Sequence, residues 1–161
     1  MGKDIRERLA ELGLTLPGAS APKGAYVPAV RSGRLVFIAG QIPLSGGELT
    51  ATGRVGAEVS PETAKELSRQ CALAALAAAD SVVPLEAVTG VVKVVGYVSS
   101  APGFVGQPAV VDGASELLID VFGDAGRHAR SVVGMAVLPL DAPVEIEIVL
   151  EAADGAEDAV G

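Results

Sequence analysis

Arg130 and Glu145 have the residue types that could handle a small organic acid, and they lie near each other in the last third of the chain. Arg130 belongs to the run Gly126-Arg127-His128-Ala129-Arg130-Ser131-Val132-Val133-Gly134-Met135-Ala136-Val137-Leu138-Pro139, and Glu145 to Pro143-Val144-Glu145-Ile146-Glu147-Ile148-Val149. An arginine keeps its charge to a pKa above ~12, and its planar fork matches a carboxylate in two places. If the two apolar runs pair as strands, Arg130 and Glu145 converge on one cleft, a fixed cation with an acid/base group beside it. Period-2 geometry puts Glu145 and Glu147 on one face. That face is either a wetted surface that the glutamates merely solubilise or part of a site, because burying two carboxylates is costly. For Arg130 the alternative to ligand binding is a surface salt bridge.

The other reactive types offer less. His128 is the single histidine, with no cysteine or carboxylate at ligand spacing, so no metal site is expected. A loop histidine before a strand is more often solvated or capping than a catalytic base. Cys71 falls on an apolar helical stripe and reads as an inert buried thiol. No Ser/His/Asp order, phosphate loop or dinucleotide fingerprint is present, and Gly103-Phe104-Val105-Gly106 is too short to count.

The elements that must position these groups are legible. Asp4 to Leu12 is a short amphipathic helix stopped by Gly13, and a Pro/Gly-rich linker follows. Tyr26 to Arg31, with Pro28, reads as an edge strand turning at Ser32-Gly33 into the buried strand Leu35 to Gly40. Residues 43–57 form a long loop or irregular hairpin. Ser60 caps a helix with Pro61 at its first position and an apolar stripe through Ala64, Leu67, Cys71, Ala74, Ala75 and Ala78 to about Asp80. Val88 to Val98 is a strand, Gln107 to Phe122 a helix closed by Gly123, and Ser131–Val137 and Val144–Leu150 the last two strands. This order predicts an α+β sandwich, a mixed sheet with helices on one face. The chain divides into an N-terminal helix and linker (1–21), one domain (22–152) and an acidic tail expected to be disordered (153–161).

At 161 residues the chain can bury one core. Half of it is hydrophobic but only 3% aromatic, an excess that suggests a subunit interface. The formal charge is −8, and setting aside Asp154, Glu157 and Asp158 of the tail leaves −5 on the body. With no basic run, nucleic acid is disfavoured as a partner. No apolar run approaches the ~20 residues of a membrane span. A lone cysteine and no leader-like opening point to the cytoplasm.

Several blocks together resemble the Rid (YjgF-like) family: Gly24-Ala25-Tyr26-Val27-Pro28-Ala29-Val30, Phe37-Ile38-Ala39-Gly40-Gln41-Ile42-Pro43, Val92-Lys93-Val94-Val95-Gly96-Tyr97-Val98, Ala129-Arg130-Ser131, Leu138-Pro139 and Val144-Glu145-Ile146-Glu147. They span roughly residues 22–151. Val111-Asp112-Gly113-Ala114-Ser115-Glu116-Leu117-Leu118 with Val121-Phe122-Gly123 is similar to a bacterial branch labelled endoribonuclease L-PSP-like. The resemblance implies a chorismate-mutase-like fold and a homotrimer whose sheets form a central barrel, with ligand clefts between subunits. It further implies cofactor-free hydrolysis of enamines and imines such as 2-aminoacrylate to a 2-keto acid and ammonia. In that frame Arg130 binds the substrate carboxylate, Glu145 positions the water, and Tyr26 with the backbone of Ala39, Gly40 and Gln41 lines the pocket.

The sequence departs from the family pattern where Ala39 replaces a common serine, Val132 a common cysteine and Asp112 a common asparagine. The first two make the pocket more apolar, and Asp112, if it faces the cleft, repels a second anionic group. A non-catalytic, carboxylate-binding trimer is therefore the alternative reading. Ribonuclease activity, carried only by the label, is disfavoured by the acidic body and the lack of a histidine pair.

Overall fold

The structure, a computed structural model, describes residues 4–155. The chain opens on α1 (Ile5–Glu11), capped by Asp4, whose side chain accepts from the Arg6 N–H at 2.9 Å. Leu9 enters the core, and the Arg6 guanidinium ties the helix to Asp80 at 2.8 Å and Glu86 at 2.7 Å. An extended linker then leads into the hairpin β1 (Ala29–Ser32) and β2 (Leu35–Gln41). Its two-residue turn starts at Gly33, with φ of 60°, where a side chain would be strained. A minor hairpin follows, β3 (Leu44–Ser45) and β4 (Glu48–Leu49), and then α2 (Pro61–Asp80), β5 (Val88–Ser99), α3 (Gln107–Phe122), β6 (Ala129–Met135) and β7 (Val144–Ala152).

The five main strands run in the order β1-β2-β7-β5-β6. All neighbours are antiparallel except β5 and β6, which α3 joins as a parallel crossover. Both long helices cover one face. On β7 the alternation is strict: Val144, Ile146, Ile148 and Leu150 are buried under the helices, while Glu145, Glu147, Val149 and Glu151 point the other way and are half-buried. On that opposite face Val30, Phe37, Val133 and Met135 are exposed. The mixed α+β architecture with two helices on one face is thus as expected. No helix among the described residues is long and apolar enough to cross a membrane.

Alanine explains how closely the helices lie. Ser60 accepts from the Thr63 N–H at 3.1 Å to start α2, whose buried side is Ala64, Leu67, Cys71, Ala72, Ala75, Leu76, Ala78 and Ala79. Where α3 crosses α2, a Cβ on Gly113 would overlap the Lys65 carbonyl. Backbone cannot step aside as a side chain can. We expect Gly113→Ala to lower stability by about 3 kcal/mol, the upper end of overpacking costs, as a fall in the urea midpoint.

Strand boundaries differ from expectation most at β1 and β6, while β7 runs two residues further, to Ala152, and β2 and β5 one residue further each. The first strand begins at Ala29 rather than Tyr26: Pro28 has no N–H for the ladder, and only its carbonyl takes part, accepting from Ala39 N–H at 2.9 Å. Tyr26 and Val27 are left exposed in a bend. The strand expected over Ser131–Val137 runs over Ala129–Met135, because its extent is set by pairing with Lys93–Ser99 of β5. Of the acidic tail, residues 156–161 lie outside the described residues.

Candidate functional site

Arg130 sits on β6 opposite Val94, on the helix side of the sheet. α3 presents Pro108, Asp112 and Ser115 along one stripe, the helical repeat of four and then three residues. Arg130 Nη1 donates to Asp112 Oδ1 at 2.7 Å and to Ser115 Oγ at 3.2 Å, and Nη2 reaches the Pro108 carbonyl at 3.5 Å. The Arg130 side chain is 24% exposed. Behind it, His128 Nδ1 lies 2.6 Å from the Gly126 carbonyl, which can only accept, so in the neutral ring Nδ1 carries the hydrogen. Nε2 is then the acceptor for the Ser115 hydroxyl at 2.9 Å, which turns the serine lone pairs toward Arg130. A directional chain from Gly126 to Asp112 thereby fixes the arginine. The crevice it borders has a volume of about 270 Å³ and includes Ile119 and Arg127.

Glu145 occupies a second site, on the opposite face. It forms a wall of a cavity of about 310 Å³ with Tyr26, Pro28, Gly40, Gln41 and, from the linker, Lys23. Burial raises the Glu145 pKa above the ordinary carboxylate value, and the charge of Glu147 adds to the rise. Tyr97 pairs with Glu145 across the ladder and donates its hydroxyl to Glu147 Oε2 at 3.3 Å. Its phenol is also raised, by burial first and then by Glu147. Gly40 leaves room for the Glu145 carboxyl, since a Cβ there would overlap Oε1 and push the side chain aside. At the rim, Leu140 and Asp141 take φ of 58° and 61°. Left-handed backbone costs about 1 kcal/mol or more per non-glycine residue. The turn is held by Gly53 N–H on the Asp141 carbonyl at 3.0 Å.

The expected convergence of Arg130 and Glu145 within one chain is corrected by this geometry. Their strands do not pair, because β5 lies between β6 and β7. Arg130 is in register with Val94, and Val94 with Ile148, whereas Glu145 is in register with Tyr97; the two side chains leave opposite faces. The two residues therefore line two separate crevices, on opposite faces of the sheet. Tyr26, Gly40 and Gln41 gather round Glu145, while Asp112 gathers on Arg130. Ala39 lies in the irregular stretch of β2, its carbonyl accepting from Gln41 Nε2 at 2.9 Å. Val132 is half-buried against the core, beside Gly96 on the arginine side. Arg130 does form a salt bridge, and Glu145 is not on a fully wetted face.

Ser115 was missed in the sequence, although its place three residues after Asp112 on a predicted helix was the signal that could have found it. His128 is half-buried and does cap: its Nδ1 bonds the Gly126 carbonyl at the end of the short 3-10 turn Gly123–Gly126, and its Nε2 anchors Ser115. Cys71 is buried as expected, and burial holds its thiol well above the ordinary pKa.

The sequence profile of the Endoribonuclease L-PSP family matches residues 18–152. The chain belongs to this family, the Rid or YjgF-like group. Among related proteins, Protein TCP17 of Trypanosoma cruzi is 38% identical over 149 residues, covering 91% of this chain and 93% of its own. The crystal structure of Atu1372 from Agrobacterium tumefaciens, a protein of unknown function, superposes with a TM-score of 0.84 at 41% identity, covering 93% of this chain and 94% of its own. TdcF of E. coli, solved with bound serine, superposes with a TM-score of 0.59 at 26% identity, covering 86% and 96%. The matched span, residues 18–152, contains both Arg130 and Glu145.

Proposed function

We propose that this Rid protein is a cytoplasmic, cofactor-free deaminase that hydrolyses small enamino and imino acids of the 2-aminoacrylate type to 2-keto acids and ammonia. The observation that carries the reading is the immobilised Arg130, with Nη1 engaged by Asp112 and Ser115 and its outer edge left to a ligand carboxylate. Glu145, its pKa raised, is suited to hold one water and accept a proton from it as the water adds to the imine carbon. The reaction is intrinsically easy, so orientation supplies most of what is needed.

Because the two crevices lie on opposite faces of one sheet, the working cleft in this reading joins Arg130 of one subunit to Glu145 of its neighbour. The apolar open face supports assembly through Phe37, Val133 and Met135. A homotrimer with a chorismate-mutase-like sheet barrel is the proposed arrangement. Bound serine in TdcF supports a small carboxylate as ligand. A second reading, a carboxylate-binding trimer without turnover, is favoured by the apolar Ala39 and Val132 and by the counter-charge of Asp112 on Arg130.

Subunit complementation tests the composite cleft. Arg130→Ala and Glu145→Gln proteins, assayed at substrate concentrations well below KM where each releases ammonia at about a hundredth of the wild-type rate or less, are unfolded together and refolded as mixed assemblies. Random mixing gives roughly a quarter of the clefts both wild-type residues, so activity should return to about that fraction of wild type. No recovery, or a light-scattering mass equal to the 16.1 kDa chain, would overturn the arrangement.

A further inference from the structure

Resting on the deaminase reading, we propose that Asp112 determines specificity, making the Arg130 crevice select ligands with an N–H group beside their carboxylate (imino and amino acids) over the matching 2-keto acids. Both hydrogens of Nη1 have partners, Asp112 Oδ1 at 2.7 Å and Ser115 Oγ at 3.2 Å, so an incoming carboxylate takes the Nη2 and Nε edge, where one Nη2 hydrogen reaches the Pro108 carbonyl at only 3.5 Å and the other is left to the ligand. Asp112 is 45% exposed, and its second oxygen, Oδ2, has no hydrogen-bond partner among the described residues. An acid seated on that edge shares one guanidinium and one crevice with an acceptor-only carboxylate, within reach of a group on its α-carbon that is turned toward Asp112. A ligand nitrogen bearing hydrogen can donate to it. A keto oxygen in the same place turns lone pairs toward a negative charge and has nothing to donate.

The distinction matters for the proposed reaction, in which substrate and product differ at that atom. The reacting species is the protonated imine, R–C(=NH2+)–COO−. Water oxygen bonds to the imine carbon, protons pass to nitrogen, the C–N bond breaks, and R–CO–COO− and NH4+ leave. Asp112 favours the protonated imine and disfavours the keto acid, which assists product departure. An uncharged amide would be indifferent, since it can donate or accept.

The test is calorimetric titration of the assembled protein with pyruvate and with L-alanine, which share a carbon skeleton, for wild type, Asp112→Asn and Arg130→Ala. Wild type should prefer L-alanine, and Asp112→Asn should shift the ratio of the two dissociation constants about tenfold or more toward pyruvate. Pyruvate should likewise become a stronger inhibitor of ammonia release. Should the amide variant fail to fold, Asp112→Ser gives the same readout. An unchanged ratio, with binding still lost in Arg130→Ala, overturns the role of Asp112 and leaves the deaminase reading standing. No saturable binding of either probe, or binding indifferent to Arg130→Ala, overturns both.

Discussion

Arg130→Ala should reduce kcat/KM for ammonia release from 2-aminoacrylate, generated in the assay, by about 10²-fold, with the stability of the protein nearly unchanged. A charge-assisted, two-point contact is worth about 1.5–3 kcal/mol, and each 1.4 kcal/mol is tenfold. The substrate carboxylate is present before and during the reaction, so the loss should fall more on KM than on kcat. Lysine should rescue poorly: it restores charge but not the fork. The stability forecast follows from exposure. Removing the guanidinium strands Asp112, but that carboxylate is 45% exposed and water can solvate it, so the unfolding free energy should move by no more than ~1 kcal/mol. Unaltered activity would remove the basis of the proposed chemistry.

Glu145→Gln should move activity and stability in opposite directions. Loss of the acid/base group is expected to lower kcat by about 10²–10⁴-fold. Stability should rise at neutral pH. Burial, and then Glu147, raise the native pKa of Glu145 above its unfolded value, so in the window between the two the native state binds more protons than the unfolded chain. The Glu145 contribution to stability is therefore full below the unfolded pKa and is lost as pH rises through the raised one. Glutamine cannot ionise, and the variant escapes that loss. Urea midpoints should nearly coincide at acid pH and separate as the pH approaches neutrality, with the variant the more stable. If Glu145 is the base, the wild-type rate should climb through the same window and the variant's should not. A variant less stable at neutral pH would contradict the pKa rise.

Much of the scaffold was readable from local signals. The Ser60-Pro61 start and alanine stripe gave α2, and Gly123 closed α3 where expected, because caps and helical periodicity act over a few neighbouring residues. Strand ends were harder, since β6 is trimmed by its partner β5, whose paired residues (Lys93 with Ala129 through Ser99 with Met135) come well earlier in the chain, rather than by its own composition. The site was legible in residue type but not in arrangement. Arg130 and Glu145 could be singled out, yet their parity across the sheet depends on β5 inserting between their strands, a long-range fact with no local trace. The pairing of Ser115 with His128 was hidden for the same reason, although the helical stripe holding Ser115 was not.

The two walls of the Glu145 cavity have different origins. Glu145, Gly40 and Gln41 stand on β7 and β2, whose burial is tied to the whole core, whereas Ser20, Ala21, Pro22 and Lys23 belong to an extended, exposed tether. In the proposed reaction, chemistry and steric filtering would thus fall to separate stretches of polypeptide: substitutions in the tether would change which guests fit, while the carboxyl stays where the sheet put it.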